Sequence, residues 1–369
     1  MGTNRRLWVK QIGFGLAGLG LTNFQSIASP VTERFIDEVE RSNTPIILSS
    51  NENPYGPSPL ARKALADNLA MSNRYNWDLS SRLIADLAKK NNVTDDNILL
   101  GSGSTEILDL VSKVAAVENG SYVIADPSYN YWTVTLDNMA LKKIKVPLTV
   151  EKKLDLPAMR AAIGNDTKLV YICNPNNPTG TICERDALLQ FITAVPKHVT
   201  ILVDEAYIDF TPQQSLANLI NSLPNMIIAK TFSKIYGLAG ARIGYAIANK
   251  TTIDKLSSLQ SSPNGGVSVL SRLAAIASLK DDQFVSFCRS SNEDARKYTI
   301  SELGKLNCEC IPSNTSFIYF SLANFKRDYF QLLKDNNIRG TKIYEEQGKW
   351  TRITVGTMQE MQQFISALQ

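Results

Sequence analysis

Lys234 closes the run Met226-Ile227-Ile228-Ala229-Lys230-Thr231-Phe232-Ser233-Lys234, with Gly237, Gly240 and Arg242 close behind. A lysine amine becomes a Schiff-base nucleophile when its surroundings lower its pKa. Alone, Lys234 reads as a solvated surface lysine, because lysines are seldom buried; its company changes that reading. Asp204 ends the apolar run Ile201-Leu202-Val203, where a carboxylate is costly unless paired. A protonated ring nitrogen is a partner that such an acid would keep charged and electron-withdrawing, while a helix N-cap is the plainer use of an Asp there. Tyr207 and Asn177, the latter inside Asn174-Pro175-Asn176-Asn177-Pro178-Thr179-Gly180, could both hydrogen-bond an oxygen of the same ring. Asn177 is otherwise a turn residue before a proline.

A second group could hold an anion. Gly101-Ser102-Gly103-Ser104-Thr105-Glu106 follows a short apolar run and opens a helix, so backbone N–H groups and the helix dipole make a cradle there. The stretch has no Walker lysine and does not fit Gly-x-Gly-x-x-Gly, which argues against a nucleotide. With Ser104, Thr105, Thr231, Ser233 and Arg242 aimed at one place, it becomes a phosphate cup. Tyr129, at another run's end, could stack on a planar ring; in isolation it is a half-buried aromatic.

These residues need a scaffold that gathers them. Residues 98–100, 122–125, 169–173, 201–203 and 226–229 are short apolar runs, each passing into a polar or glycine-rich turn and then a helical stretch. Near-continuous apolar strands alternating with helices predict a mostly parallel sheet covered on both faces. Ligands in such sheets bind beyond the carboxyl ends of the strands, where all the unusual polar sequences fall. Before this region, Pro59 to Ala70 reads as a helix, and Leu79, Leu83, Ile84 and Leu87 mark another. Beyond about residue 265 the pattern changes to helices over 267–279 and on to about Leu306, strands at Phe317–Phe320 and Arg352–Val355, and a closing helix. The fold class is therefore α/β, a three-layer large domain with a smaller α+β C-terminal domain. The expected boundaries are a leader over 1–29, an N-terminal arm over 30–62, a large domain over 63–265 and a small one over 266–369.

Composition narrows the chemistry. The chain has 369 residues, 20% of them charged, and a net charge of +4 without a basic-aromatic cluster, which argues against nucleic acid. Its one histidine, His198, precedes an apolar run and reads as a loop residue before a strand; triads and zinc sites usually need more. Cys173, Cys183, Cys288, Cys308 and Cys310 are odd in number and scattered, unlike a disulfide framework. Near the start, Arg5-Arg6-Leu7-Trp8-Val9-Lys10 precedes a glycine-rich apolar run and the small residues Ser26-Ile27-Ala28. This resembles a twin-arginine export signal and implies a periplasmic protein; the alternative is a basic extension on a cytoplasmic one. The run is too short for a stable membrane span.

Taken together, Asn174–Gly180, Asp204-Glu205-Ala206-Tyr207, Thr231–Lys234 with Arg242, and Arg352-Ile353-Thr354-Val355-Gly356-Thr357 resemble the fold-type I (class I/II) aminotransferases, which depend on pyridoxal 5'-phosphate. Asn51–Pro57 and the Arg352 stretch resemble the histidinol-phosphate aminotransferase branch in particular. The resemblance implies that Lys234 forms the Schiff base with the cofactor and later shuttles the substrate proton. It assigns Asp204 to the pyridine nitrogen, Asn177 and Tyr207 to the ring oxygen, and Tyr129 to the ring face. It gives the phosphate to Ser104, Thr105, Thr231, Ser233 and Arg242, with Tyr75 reaching it from the other subunit of a homodimer. Tyr55 and Arg352 would meet the substrate. The implied reaction moves an amino group from an amino acid or histidinol phosphate to a 2-oxo acid such as 2-oxoglutarate. Transfer from an aromatic amino acid, a lyase or decarboxylase reaction, and a non-catalytic sensor are the alternatives. Asn76-Trp77-Asp78 replaces the Pro-Asp that usually follows Arg-Tyr, and Lys342 stands near a position where many relatives carry Arg; both departures concern the substrate, not the cofactor set.

Overall fold

The structure is a computed structural model that describes residues 44–369. The leader expected over 1–29, and the first part of the arm expected over 30–62, lie outside the described residues.

A seven-stranded sheet carries the site. Its strands are β2 (Ile98–Gly101), β3 (Ser121–Asp126), β4 (Lys142–Pro147), β5 (Thr167–Cys173), β6 (Thr200–Asp204), β7 (Met226–Thr231) and β8 (Gly244–Ile247), with β1 (Ile46–Ile47) lying elsewhere. Their order is β2-β8-β7-β6-β5-β3-β4. The β4-β3-β5-β6-β7 pairings are parallel, and β8 is antiparallel to both of its neighbours. Alternate residues feed two cores. Val123, Val170, Ile172, Ile201, Val203 and Ile228 enter one, and Ile124, Tyr171, Leu202 and Ile227 enter the other. Burial on both sheet faces is why these strands read as unbroken apolar runs.

The two strands without such a signature have physical reasons for lacking one. β4 forms the sheet edge and carries Lys142, Lys143 and Lys145, charge that discourages further strand pairing. β8 alternates Gly244 and Ala246 with Tyr245 and Ile247, so it carries too few large apolar side chains to stand out. The first expected helix also ends early. Ser58 caps Pro59–Asp67 through the Ala61 N–H, and a 3₁₀ turn over Leu69–Asn73 follows.

The C-terminal part is an antiparallel sheet of order β12-β13-β10-β9, built from β9 (Cys310–Ile311), β10 (Phe317–Ser321), β12 (Ile343–Glu345) and β13 (Trp350–Thr354). Helices Asp282–Lys305 and Met358–Leu368 pack on it through Ala295, Leu303, Met361, Phe364 and Ile365. Helix Val269–Ser278 instead places Ala274, Ala275 and Ile276 in the core beside the large sheet, against helices Pro59–Asp67 and Asp78–Asn91. β1 pairs in parallel with β11 (Ile338–Arg339), so the start of the described chain is joined to its C-terminal part.

Candidate active site

The strand directions explain why distant residues converge. β2, β3, β5, β6 and β7 deliver their carboxyl ends to one edge. Because β8 runs the other way, its amino end, with Arg242 just before it, arrives at that edge too. Gly244 pairs with Gly101 on one side and with Thr231 on the other. Gly103 has φ +76°, and a Cβ there would overlap the Arg242 guanidinium. No side chain could occupy that position while Arg242 keeps its place.

The edge opens into a cavity of about 720 Å³. Ser104, Thr105, Tyr129, Asn177, Asp204, Tyr207, Thr231, Ser233, Lys234, Arg242 and Arg352 all line it. At the end near helix Gly103–Ala115, Arg242 Nη2 donates to Thr105 Oγ1 at 3.4 Å and its Nη1 to the Ala239 carbonyl at 3.0 Å. Thr231 Oγ1 donates to Ser233 Oγ at 3.0 Å. Four hydroxyls, a guanidinium and a helix amino terminus thus share one corner.

Asp204 stands at the centre, on the end of β6 and only 3% exposed. Its Oδ2 accepts from the Tyr171 hydroxyl at 2.9 Å and its Oδ1 from the Ala206 N–H at 3.0 Å. Burial pushes its pKa up to about 6, although these two donors pull the other way. Lys234 Nζ lies 5.6 Å from the Tyr207 ring centroid and donates to the Ser50 carbonyl at 3.3 Å. Desolvation first, and the Arg352 charge second, lower its pKa to about 8. Tyr207 packs edge-on against Phe317 at 5.1 Å and accepts from Asn51 Nδ2 at 2.9 Å.

Arg352 on β13 forms the opposite wall. Its Nη1 donates to Asn177 Oδ1 at 2.6 Å and its Nη2 to the Ser49 carbonyl at 2.7 Å. The guanidinium lies 5.3 Å from the Phe317 ring and 5.4 Å from that of Tyr344. Its Nε is buried without a hydrogen-bond partner.

Two of the expected residues sit elsewhere in this chain. Tyr55 packs edge-on against Phe287 at 4.9 Å, outside the cavity wall. Tyr75 is 75% exposed and stacks on Trp77 at 5.2 Å. The site also involves residues outside the set assigned from the sequence. Asn51 reaches Tyr207, Tyr171 reaches Asp204, and Lys342 lies 5.9 Å from both the Tyr131 and Tyr344 rings at the rim. Asn51 belongs to the Asn51–Pro57 stretch, which carries a family signal, whereas Tyr171 reads only as strand.

These residues fit pyridoxal phosphate. The corner holding Arg242 offers one cation and several donors, which suits a phosphate dianion. The neighbouring Glu106 carboxylate is engaged by the Ser102 N–H and Gln260 Nε2 and is not among the cavity-lining residues. Asp204 makes no ion pair among the described residues, so its buried charge still calls for a cationic partner such as a protonated ring nitrogen. Lys234 supplies an amine with a depressed pKa across the same cavity.

Fold and site together define a lysine-centred cofactor enzyme of the three-layer α/β kind. Residues 43–368 match the family model "Aminotransferase class I and II". The histidinol-phosphate aminotransferase of Moorella thermoacetica is 37% identical over 351 residues, spanning 93% of this chain and 90% of that protein. Its counterpart from Brevibacillus brevis is 36% identical, with 90% and 93% covered. The solved histidinol-phosphate aminotransferase of Sinorhizobium meliloti, in complex with pyridoxal-5'-phosphate, superposes with a TM-score of 0.80 at 26% identity, covering 90% of this chain and 92% of that one. The chain belongs to the class I and II aminotransferase family. The expectation of a pyridoxal-phosphate-dependent aminotransferase, drawn from its motifs, therefore stands.

Proposed function

We propose that this enzyme takes its amino group from a phosphorylated donor of the histidinol phosphate kind and passes it to a 2-oxo acid, with 2-oxoglutarate as the acceptor. The carrying observation is Arg352: a buried guanidinium on the cavity wall, within 5.4 Å of the Phe317 and Tyr344 rings, with Nε still unpartnered. Such a fork suits an oxyanion, phosphate or carboxylate, so one clamp serves donor and acceptor in turn. The relatives named for histidinol phosphate support the donor. A panel of donors assayed with 2-oxoglutarate tests this reading. Histidinol phosphate should lead in kcat/KM, and a preference for an aromatic amino acid would overturn it.

When bound, pyridoxal phosphate supplies an aldehyde that condenses with amines and a protonated ring that draws electrons from the donor's α-carbon. Arg242, Ser104, Thr105, Thr231 and Ser233 would hold its phosphate, and Tyr129 would lie against its ring. Asp204 would keep the proton on the ring nitrogen. Arg352 occupies Asn177 Oδ1, so Asn177 Nδ2 and the Tyr207 hydroxyl would be the donors to the ring oxygen. Lys234 Nζ, neutral in a useful fraction, would take the proton from the donor's α-carbon and carry it as general base and acid.

The working form in this proposal is a homodimer in which Tyr75, and Tyr55 with it, reaches the neighbouring subunit's cavity. The exposure of Tyr75 supports that arrangement. A fully active monomer in sedimentation equilibrium would refute it. We further propose export through the Arg5-Arg6 leader. Replacing both arginines by lysine should shift the enzyme from periplasmic to cytoplasmic fractions, whereas a native protein found only in the cytoplasm would refute export. No helix among the described residues is long and apolar enough to cross a membrane.

A further inference from the structure

We propose that Tyr171 is a positioning residue of this reaction: its buried hydroxyl, 2.9 Å from Asp204 Oδ2, sets the orientation and charge of the carboxylate that faces the cofactor's ring nitrogen. The inference rests on the reading of Asp204 given above.

The register builds the contact. Cys173 pairs directly with Asp204 across β5 and β6, and Tyr171 pairs with Leu202. Side chains two apart share a sheet face, so Tyr171 is the diagonal neighbour of Asp204 and long enough to reach it. Tyr171 is 1% exposed, and its ring packs edge-on against Trp132 at 4.8 Å. A phenol fixed in this way has one rotatable bond left, and the carboxylate is where its proton goes. With the Ala206 N–H on Oδ1, Asp204 is gripped at both oxygens, which leaves it little freedom to swing away.

The same bond acts on charge. Burial drives Asp204 towards its neutral form, and a donor on Oδ2 favours the ionised one. Around this carboxylate stand Tyr171 and Cys173 from β5, Tyr129 after β3, Glu205 and Tyr207 beyond β6, and Lys234 after β7. Burial pushes the three tyrosines and the cysteine upward, so they stay protonated in the working range. Tyr171 is therefore a fixed donor throughout.

Tyr171→Phe keeps the ring and removes the donor. A lost hydrogen bond to a charged group corresponds to roughly a ten-fold effect. The cofactor dissociation constant, read by absorbance titration of the apoprotein, should rise by about that factor. The acidic limb of the kcat/KM–pH profile should move up by about one unit, with the thermal midpoint nearly unchanged. Trp132→Phe perturbs the packing but spares the hydroxyl, so its limb should stay in place; a shift as large as that of Tyr171→Phe would assign the effect to packing and overturn the proposal. In the Asp204→Asn background, Tyr171→Phe should add nothing to the dissociation constant. Unchanged affinity and limb in Tyr171→Phe, or an equal further loss on top of Asp204→Asn, would also overturn it. Should Asp204→Asn itself bind the cofactor normally, the underlying reading of Asp204 would fail instead.

Discussion

Arg352 Nη1 donates to Asn177 Oδ1 across 2.6 Å, joining residues 175 positions apart and tying the substrate wall to the cofactor wall. Because the bond fixes which way the Asn177 amide faces, the two binding functions are coupled. Arg352→Lys keeps a charge but loses the planar fork. It should lower kcat/KM for an acidic donor by roughly ten- to a hundred-fold, the scale of one or two charged hydrogen bonds. The cofactor's absorbance maximum should shift as well, since Asn177 is freed to rotate. Steady-state kinetics with a parallel spectrum would check both.

Lys234 sits at about 8 rather than the usual 10.5, through burial and then the nearby Arg352 charge. At pH 7 roughly a tenth of the amine is neutral, against about one part in three thousand for an ordinary lysine. Capture of pyridoxal phosphate by the apoprotein should accelerate as pH rises through about 8 and level off above it, in stopped-flow absorbance. Lys234→Ala should show neither the visible band nor turnover.

Asp204 makes the empty protein less stable. Its folded-state pKa, about 6 against an ordinary 3.8, means that the folded chain binds the proton more tightly than the unfolded one. Stability therefore falls as pH rises from about 4 to 6, and the full cost, on the order of 2 to 3 kcal/mol, persists above that window. Asp204→Asn should raise the apoprotein's denaturation midpoint at pH 7 while weakening cofactor binding. Urea titration of apo and loaded forms at pH 4 and 7 would separate the two effects.

Lys230 and Glu205 flank the site residues Thr231 and Asp204 and are both buried. Lys230 Nζ stands 3.7 Å from Glu205 Oε2 and 4.0 Å from Asp209 Oδ1, and Glu205 Oε2 lacks a hydrogen bond. Removing one partner strands the other charge in the interior. Lys230→Ala should cost about 3 to 5 kcal/mol in chemical denaturation, and Lys230→Ala with Glu205→Gln less than the two single losses combined.

Gly237 has φ +67°, and a Cβ there would overlap the Gly56 backbone. Gly237→Ala should therefore pull the Asn51–Pro57 stretch away from the Lys234 loop. Activity should fall while far-UV circular dichroism stays native.

What the sequence made legible follows from these contacts. β5, β6 and β7 are apolar on both faces, so their ends, and with them Asn177, Asp204 and Lys234, could be placed on one edge by pattern alone. Arg242 reached that edge through a strand reversal hidden in four residues. The Tyr171–Asp204 bond depends on interstrand register, which leaves no local mark. Asn51 stood in the Asn51–Pro57 motif, but its reach to Tyr207 is a contact 156 positions away that the motif does not specify. Tyr55 and Tyr75 entered through resemblance, and within one chain both lie away from the cavity.

The parallel pairing of Ile46–Ile47 with Ile338–Arg339 sets an order of assembly. The stretch beside β1 supplies Ser49 to Arg352, Ser50 to Lys234 and Asn51 to Tyr207, yet its own strand partner, Ile338–Arg339, is translated long after it. The large sheet can begin to form as its strands emerge, but the pocket gains its Arg352 wall and the anchoring of β1 only once residues 338–352 have been made. A chain stalled before residue 338 would lack both and be catalytically silent.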